Sequence, residues 1–271
     1  MNKKIRRMRV KHETTYTYEH DIRYAIQRFY LTPRANKKVQ VLNWEVRANF
    51  ELSSQTDFFG NTMHLLVVNK PCRKISISVF GLIDISSHID KSSKRGKSKF
   101  SFDEVSTILF KRPTHLTLAN EEIQSVARRV YNKKTQQQSL LELAEVIEKR
   151  IVYSKGVTGV RTTAVDAWQR GAGVCQDHAH VMLAACRSQG LSARYVSGYL
   201  HGGTSASEAT HAWVEVWIGK WLGIDVTHKK VVDNNFLSLA VGKDYLSVSP
   251  VRGVRNGGGE ERMSVNVAVT G

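Results

Sequence analysis

The feature that most limits what this 271-residue chain can fold into is a change of hydrophobic period near residue 100. Upstream, apolar and polar residues alternate. Residues 14–18 alternate Thr and Tyr; Ile75, Ile77 and Val79 alternate with Ser76, Ser78 and Phe80, and Ile83 and Ile85 continue the row. Residues 39–50 and 65–68 are further short runs, with a turn marked by Asp57, Gly60 and Asn61. Period two belongs to strands with one buried face, and short strands with regular turns predict a sandwich or partial barrel. Downstream the period lengthens. Ile123, Ala127 and Val130 lie at helical spacing, and Leu140, Leu143, Ala144, Ile147 and Ile151 fall at i, i+3, i+4, i+7 and i+11. That spacing predicts amphipathic helices over 121–131 and 139–151. Between the two regimes, KSSKRGKSK at 91–99 reads as a flexible linker. The expected class is α+β, with a β-rich, sandwich-like domain at 1–98 and a second domain at 99–271.

Composition removes several function classes. A hydrophobic fraction of 41% and a charged fraction of 24% suit a globular protein. The net charge of +16 is uneven: residues 1–100 hold 20 Lys and Arg against 8 Asp and Glu, residues 101–271 hold 20 against 16. The charges are scattered, which favours a basic, soluble surface over a nucleic-acid footprint. The competing reading is a binding module using Tyr16, Tyr18, Tyr24, Phe29 and Tyr30 beside Arg23 and Arg28. Three cysteines, Cys72, Cys175 and Cys186, do not make a disulfide framework. No stretch reaches the ~20 apolar residues of a membrane span. The basic start, MNKKIRRMRVKHE, has no apolar h-region behind it, so a cytosolic location is expected.

The unusual residues gather after 170. Gly171-Ala172-Gly173 breaks the chain, and 175–188 reads as a helix with Gly190 as its C′ residue. Cys175 therefore opens a helix, where unpaired N–H groups and the dipole favour a thiolate and can hold an oxyanion. Cys186 shares an apolar stripe with Met182 and Ala185 and reads as core. A strand is expected over 193–200, a Gly/Ser-rich loop over 201–207, and a hairpin over 211–227 turning at Gly219-Lys220. His211, Trp213, Glu215 and Trp217 share one face of its first strand. Asp225 follows the apolar Leu222-Gly223-Ile224, where a carboxylate needs a partner. An imidazole is the natural one, but only in one register. A two-residue loop puts Asp225 opposite Val214, on the wrong face; a three-residue loop pairs Trp217 with Trp221 and brings Asp225 to the face of His211.

GVCQDHAHVMLAACRSQGLSARYVSGYL, then HAWVEVW, then GIDVTH, resembles the core of the bacterial transglutaminase-like superfamily, in its cysteine-protease-like branch. The β-rich first half resembles the β-domain that precedes that core, and AVGKDYLSVSPVRGV followed by GGGE resembles its C-terminus. The resemblance implies a papain-like transglutaminase core, a helix packed on an antiparallel sheet, and a Cys-His-Asp triad at Cys175, His211 and Asp225. The chain departs from the family where His178 replaces an aromatic and Val226 replaces a proline.

The expected activity is hydrolysis of a peptide or amide bond in a peptide or protein substrate, through a thioester on Cys175. Transamidation to an amine is the alternative. Trp168, Gln176, Trp213 and Arg252 are candidate substrate-binding residues, and Asp177 suits a structural role at the helix start. No cofactor is implied. Cys175, His178 and His180 share no helical stripe, so no metal site is expected from them.

Overall fold

The computed structural model describes residues 5–34, 38–86, 107–202 and 210–271. The 91–99 linker and residues 203–207 of the Gly/Ser-rich loop lie outside them.

The first half is built on one long strand, β1 (Ile5–Phe29), followed by β2 (Val39–Ala48), β3 (Leu52–Thr56), β4 (Thr62–Val68) and β5 (Cys72–Ser86). The sheet order is β2-β5-β1-β4-β3. β1 serves two groups of partners. Residues 5–17 pair with β5, and Ala25–Phe29 pair with β4, with a register irregularity between Thr17 and Ile22. A bulge of this kind bends a strand so that its halves can face each other. Both halves bury residues in one cluster: Tyr16, Ile75 and Ile77 from one, Ala25, Phe29, Leu66 and Val68 from the other. The result is the expected strand-rich, sandwich-like region.

The second half begins with α1 (Glu121–Val130) and α2 (Gln136–Arg150), then β6 (Val152–Tyr153), α3 (Ala164–Arg170), β7 (Ala172–Gly173) and α4 (Cys175–Ser188). Next come β8 (Ala193–Leu200), β9 (Thr210–Trp217), β10 (Trp221–Asp225), β11 (Lys230–Val231), β12 (Phe236–Gly242) and the single turn α5 (Tyr245–Val248). β11-β10-β9-β8-β12 form an antiparallel sheet. α1 starts at Asn120, whose side chain accepts the Ile123 N–H, and buries Ile123 and Ala127. α4 is enclosed on all sides, with every residue from Asp177 to Arg187 buried, as expected of the central helix of a core. It shares one cluster with Leu140, Leu143 and Ile147 of α2 and Val214, Val216 and Ile224 of the sheet.

The last strands, β13 (Val251–Gly257) and β14 (Glu261–Thr270), leave this sheet and pair with β1. Residues 251–270, grouped by sequence with the second domain, thus complete the sheet of the first. The seam is apolar: Met8, Val10, Ile83, Ile85, Val267 and Val269 pack on Tyr199, Leu237 and Leu239. Asn61 and Val241 exchange two 2.9 Å hydrogen bonds across it.

His12 is buried in this seam, Nδ1 lying 2.6 Å from the Tyr199 hydroxyl and Nε2 2.8 Å from Thr14 Oγ1. Burial lowers its pKa from 6.5 to about 4. The unfolded chain therefore binds the extra proton first, and stability falls as pH drops from 6.5 towards 4, by up to roughly 3 kcal/mol from this ring. His12→Asn, which keeps a nitrogen at the Nδ1 position, is expected to flatten that acid limb in thermal melts between pH 7 and 4.5. An unchanged limb would mean that His12 does not couple folding to pH.

Candidate active site

Cys175 is the first residue of α4 and is half-buried. The chain is shaped to put it there. Asp177 folds back, its Oδ2 accepting the Val174 N–H at 2.8 Å and the Thr158 hydroxyl at 2.6 Å. That carboxylate occupies the space of the side chain Gly173 lacks: a Cβ there would lie 2.7 Å from Asp177 Oδ2. Burial pushes the Asp177 carboxyl up, against the pull of Thr158 and Val174. The Asp177 and His178 N–H groups turn back to Val174 O, while those of Cys175 and Gln176 have no acceptor within the helix.

The hairpin takes the three-residue form. Trp217 pairs with Trp221 and Val214 with Ile224, with Gly219 at φ +84 in the loop. His211 and Asp225 consequently meet, Nε2 to Oδ2 at 3.0 Å, both buried. The contact is close but off the line of a straight ring N–H bond. Trp213 stacks beside the His211 ring at 6.4 Å and packs edge-on against Phe236. With Nε2 turned to the carboxylate, Nδ1 is the nitrogen left for the thiol.

Charge and burial oppose each other here. Burial disfavours the His211 imidazolium, but hydrogen bonds to Asp225 and Cys175 and their charges outweigh it, and the pKa rises to about 10. Burial likewise disfavours the Asp225 carboxylate, yet His211 and His228 hold its pKa well below the usual range. The structure thus brings Cys175, His211 and Asp225 together from a helix start, a strand start and a strand end.

His228 was not singled out in the sequence. Its Nδ1 lies 2.6 Å from Asp225 Oδ2, closer than His211. The signal was the i, i+3 spacing from Asp225 into a turn. Among the described residues, His211, Asp225 and His228 are the group whose metal-ligating atoms converge, all within 4.8 Å. Both ring nitrogens lie against the carboxylate, His211 at 3.0 Å and His228 at 2.6 Å, the latter as a hydrogen bond. An ion about 2.0–2.2 Å from each ligand atom would have to displace both. Tyr195 and Tyr245 also adjoin the site: both feel the Cys175 charge, after a larger effect of burial, and both hydroxyl pKa values rise.

The other sequence candidates are placed less centrally. Trp168 is buried in the helical core, its Nε1 donating to Glu122 at 2.7 Å and its ring under Arg150, which makes it a packing residue. Gln176, next in sequence to Cys175, donates from Nε2 to Gly159 O at 3.2 Å and is so tied to the 154–162 loop. Arg252 lies on β13 and donates to Leu246 O, with no contact to the triad. His178 sits between Thr227 Oγ1 (3.0 Å) and Ile151 O (2.8 Å), so it ties α4 to the end of α2 and to the turn after β10.

Comparison with known proteins agrees with this architecture. Residues 124–226 match the transglutaminase-like superfamily core, and residues 8–84 match the bacterial transglutaminase-like N-terminal region. An uncharacterized protein of Mycobacterium leprae is 29% identical over 277 residues, covering 97% of this chain and 98% of the relative. One from Mycobacterium bovis is 29% identical over 279 residues, covering 92% and 87%. A crystal structure named "Putative Cysteine Protease from Cytophaga hutchinsonii" superposes with a TM-score of 0.76 at 20% identity, over 99% of this chain and 91% of that one, so the fold is shared along its length. By these matches the chain carries a transglutaminase-like superfamily core, with a bacterial transglutaminase-like N-terminal region ahead of it.

Proposed function

We propose that the protein is a cysteine-dependent hydrolase of peptide or amide bonds, acting through a thioester on Cys175. One observation carries the reading: a thiol at a helix start adjoins an imidazole whose far nitrogen is held by a buried carboxylate. Such a set needs no external activator. His211 accepts the Cys175 proton, and Asp225 steadies the imidazolium. The thiolate attacks the amide carbon, and the carbonyl electron pair moves onto oxygen. The N–H groups of Cys175 and Gln176, without acceptors in the helix, are the donors positioned for that oxyanion. Collapse breaks the C–N bond as His211 gives its proton to the leaving amine. His211 then takes a proton from water, whose oxygen displaces the thiol from the thioester.

An amine in place of water would give a transamidase by the same route, with the same residues. Incubation with a peptide library, followed by an acid quench and mass spectrometry, is expected to find an acyl group on the peptide containing Cys175. Adding a primary amine is expected to leave free acid as the main product; conversion to the amine adduct would assign transamidation. A folded protein that carries no acyl group with any peptide would rule out the thioester route.

A further inference from the structure

The triad does not end at Asp225. One carboxylate oxygen, Oδ2, serves two imidazoles: His211 Nε2 at 3.0 Å from inside the protein and His228 Nδ1 at 2.6 Å from outside. Oδ1 accepts the His228 backbone N–H at 3.3 Å. The rings are 5.3 Å apart between centroids, and the His228 side chain is 47% exposed while His211 is 5% exposed. A buried site is thereby linked through one atom to a solvent-exposed ring.

We propose that His228 is a positioning residue that holds Asp225 for His211 and makes the reactivity of Cys175 depend on the charge of an exposed imidazole. The proposal rests on the cysteine-hydrolase reading and adds to it a fourth residue with a distinct role. Two physical effects are involved. The short contact from Nδ1, with the backbone N–H on the other oxygen, restrains the carboxylate against rotating away from His211. A proton on His228 also places a second cation beside Asp225, dividing the pull of one carboxylate between two imidazoliums.

Other charges around His228 do not duplicate this role. Lys229 is paired with Glu148 at 3.1 Å, and the Lys230 ammonium lies over the Phe236 ring at 5.0 Å. His178, on α4 behind the same turn, is held by Thr227 and Ile151, and burial lowers its pKa. A histidine changes charge between about pH 5 and 8. Burial opposes a charge on His211, but its contacts with Asp225 and Cys175 outweigh burial and raise its pKa to about 10, above that window.

The test compares His228→Asn, whose amide nitrogen stands where Nδ1 stood but does not titrate, with His228→Ala, which removes both donor and charge. The rate of Cys175 alkylation by iodoacetamide is followed from pH 5 to 8. The wild type is expected to show an inflection in that range. Ala is expected to slow alkylation about tenfold or more through loss of position. Asn is expected to restore most of the rate while abolishing the inflection. A merely structural residue would not separate rate from pH dependence in this way. In parallel, NMR titration of the His211 ring in Cys175→Ser protein, which does not depend on sulfur chemistry, is expected to report a two-step curve that becomes single-step with His228→Asn. Unchanged alkylation profiles and unchanged ring titrations in both variants would overturn the proposal. If Cys175 proves no more reactive than Cys72, the hydrolase reading fails separately, and the ring titration still decides whether His228 and His211 are coupled.

Discussion

Asp225→Asn is expected to lower thioester-dependent turnover by about 10⁴-fold while leaving the fold in place. Asp225 is fully buried, and one of its oxygens lies against two imidazoles, at 3.0 Å and 2.6 Å. An amide has nearly the same shape, so packing around Val226 and Ile224 need not change. Its NH₂ cannot accept from either ring, and its oxygen carries no full charge. His211 then loses both what raises its proton affinity and what fixes its tautomer. Labelling of Cys175 should persist but slow, because the helix start and the imidazole remain. Circular dichroism and a thermal melt check the fold; a peptide-cleavage assay, once a substrate is trapped, reads the loss. Wild-type turnover in this variant would make Asp225 a structural residue only.

The largest effect on stability is expected at Arg187. Its guanidinium is buried at the far end of α4. Nε donates to Phe110 O and Ala193 O, Nη1 to Thr117 Oγ1 at 2.6 Å, and Nη2 to Ala193 O and to Lys243 O at 2.7 Å. One side chain thus closes carbonyls from the segment before α1, the start of β8 and the end of β12. Burial lowers its pKa to about 10, so it remains charged at neutral pH. Arg187→Met keeps most of the volume but strands those acceptors. The expected cost is about 3–5 kcal/mol, a fall in Tm of roughly 10 °C. A change of only ~1 °C would mean that water replaces the guanidinium without loss.

Where a single periodicity governed a segment, its structure was legible in the sequence. The α4 helix, the 139–151 stripe and the Trp217–Trp221 register all follow from side-chain spacing, and the register was demanded by the need to put Asp225 and His211 on one face. What was hidden depended on contacts between distant segments. Val265, Val267 and Val269 alternate with Asn266, Ala268 and Thr270 as a strand should, but nothing local says that their partner is β1, more than 250 residues away. Phe236–Gly242 is an apolar run whose place beside β8 only the assembled sheet reveals. Trp168 could be read from the sequence equally as a pocket wall or as packing; its Glu122 partner lies on another helix, out of reach of any spacing rule. His228 could have been found by asking what a turn three residues after a buried carboxylate brings back to it.

Cys175 is the sulfur proposed to react, and the presence of two other cysteines makes this directly measurable. Cys186 is fully buried and its thiol is pushed up to about 12 by burial; Cys72 is partly exposed, with a thiol also raised, first by burial. Cys72 is therefore the informative control, since reagent can reach it. The decisive measurement is the rate of iodoacetamide labelling at each cysteine at pH 6, read by mass spectrometry of digested peptides, in wild type and in His211→Ala. The expected result is labelling of Cys175 at least tenfold faster than of Cys72, with that advantage lost when His211 is removed. Equal, slow labelling of Cys175 and Cys72 in the folded wild type would mean that Cys175 is not an activated nucleophile.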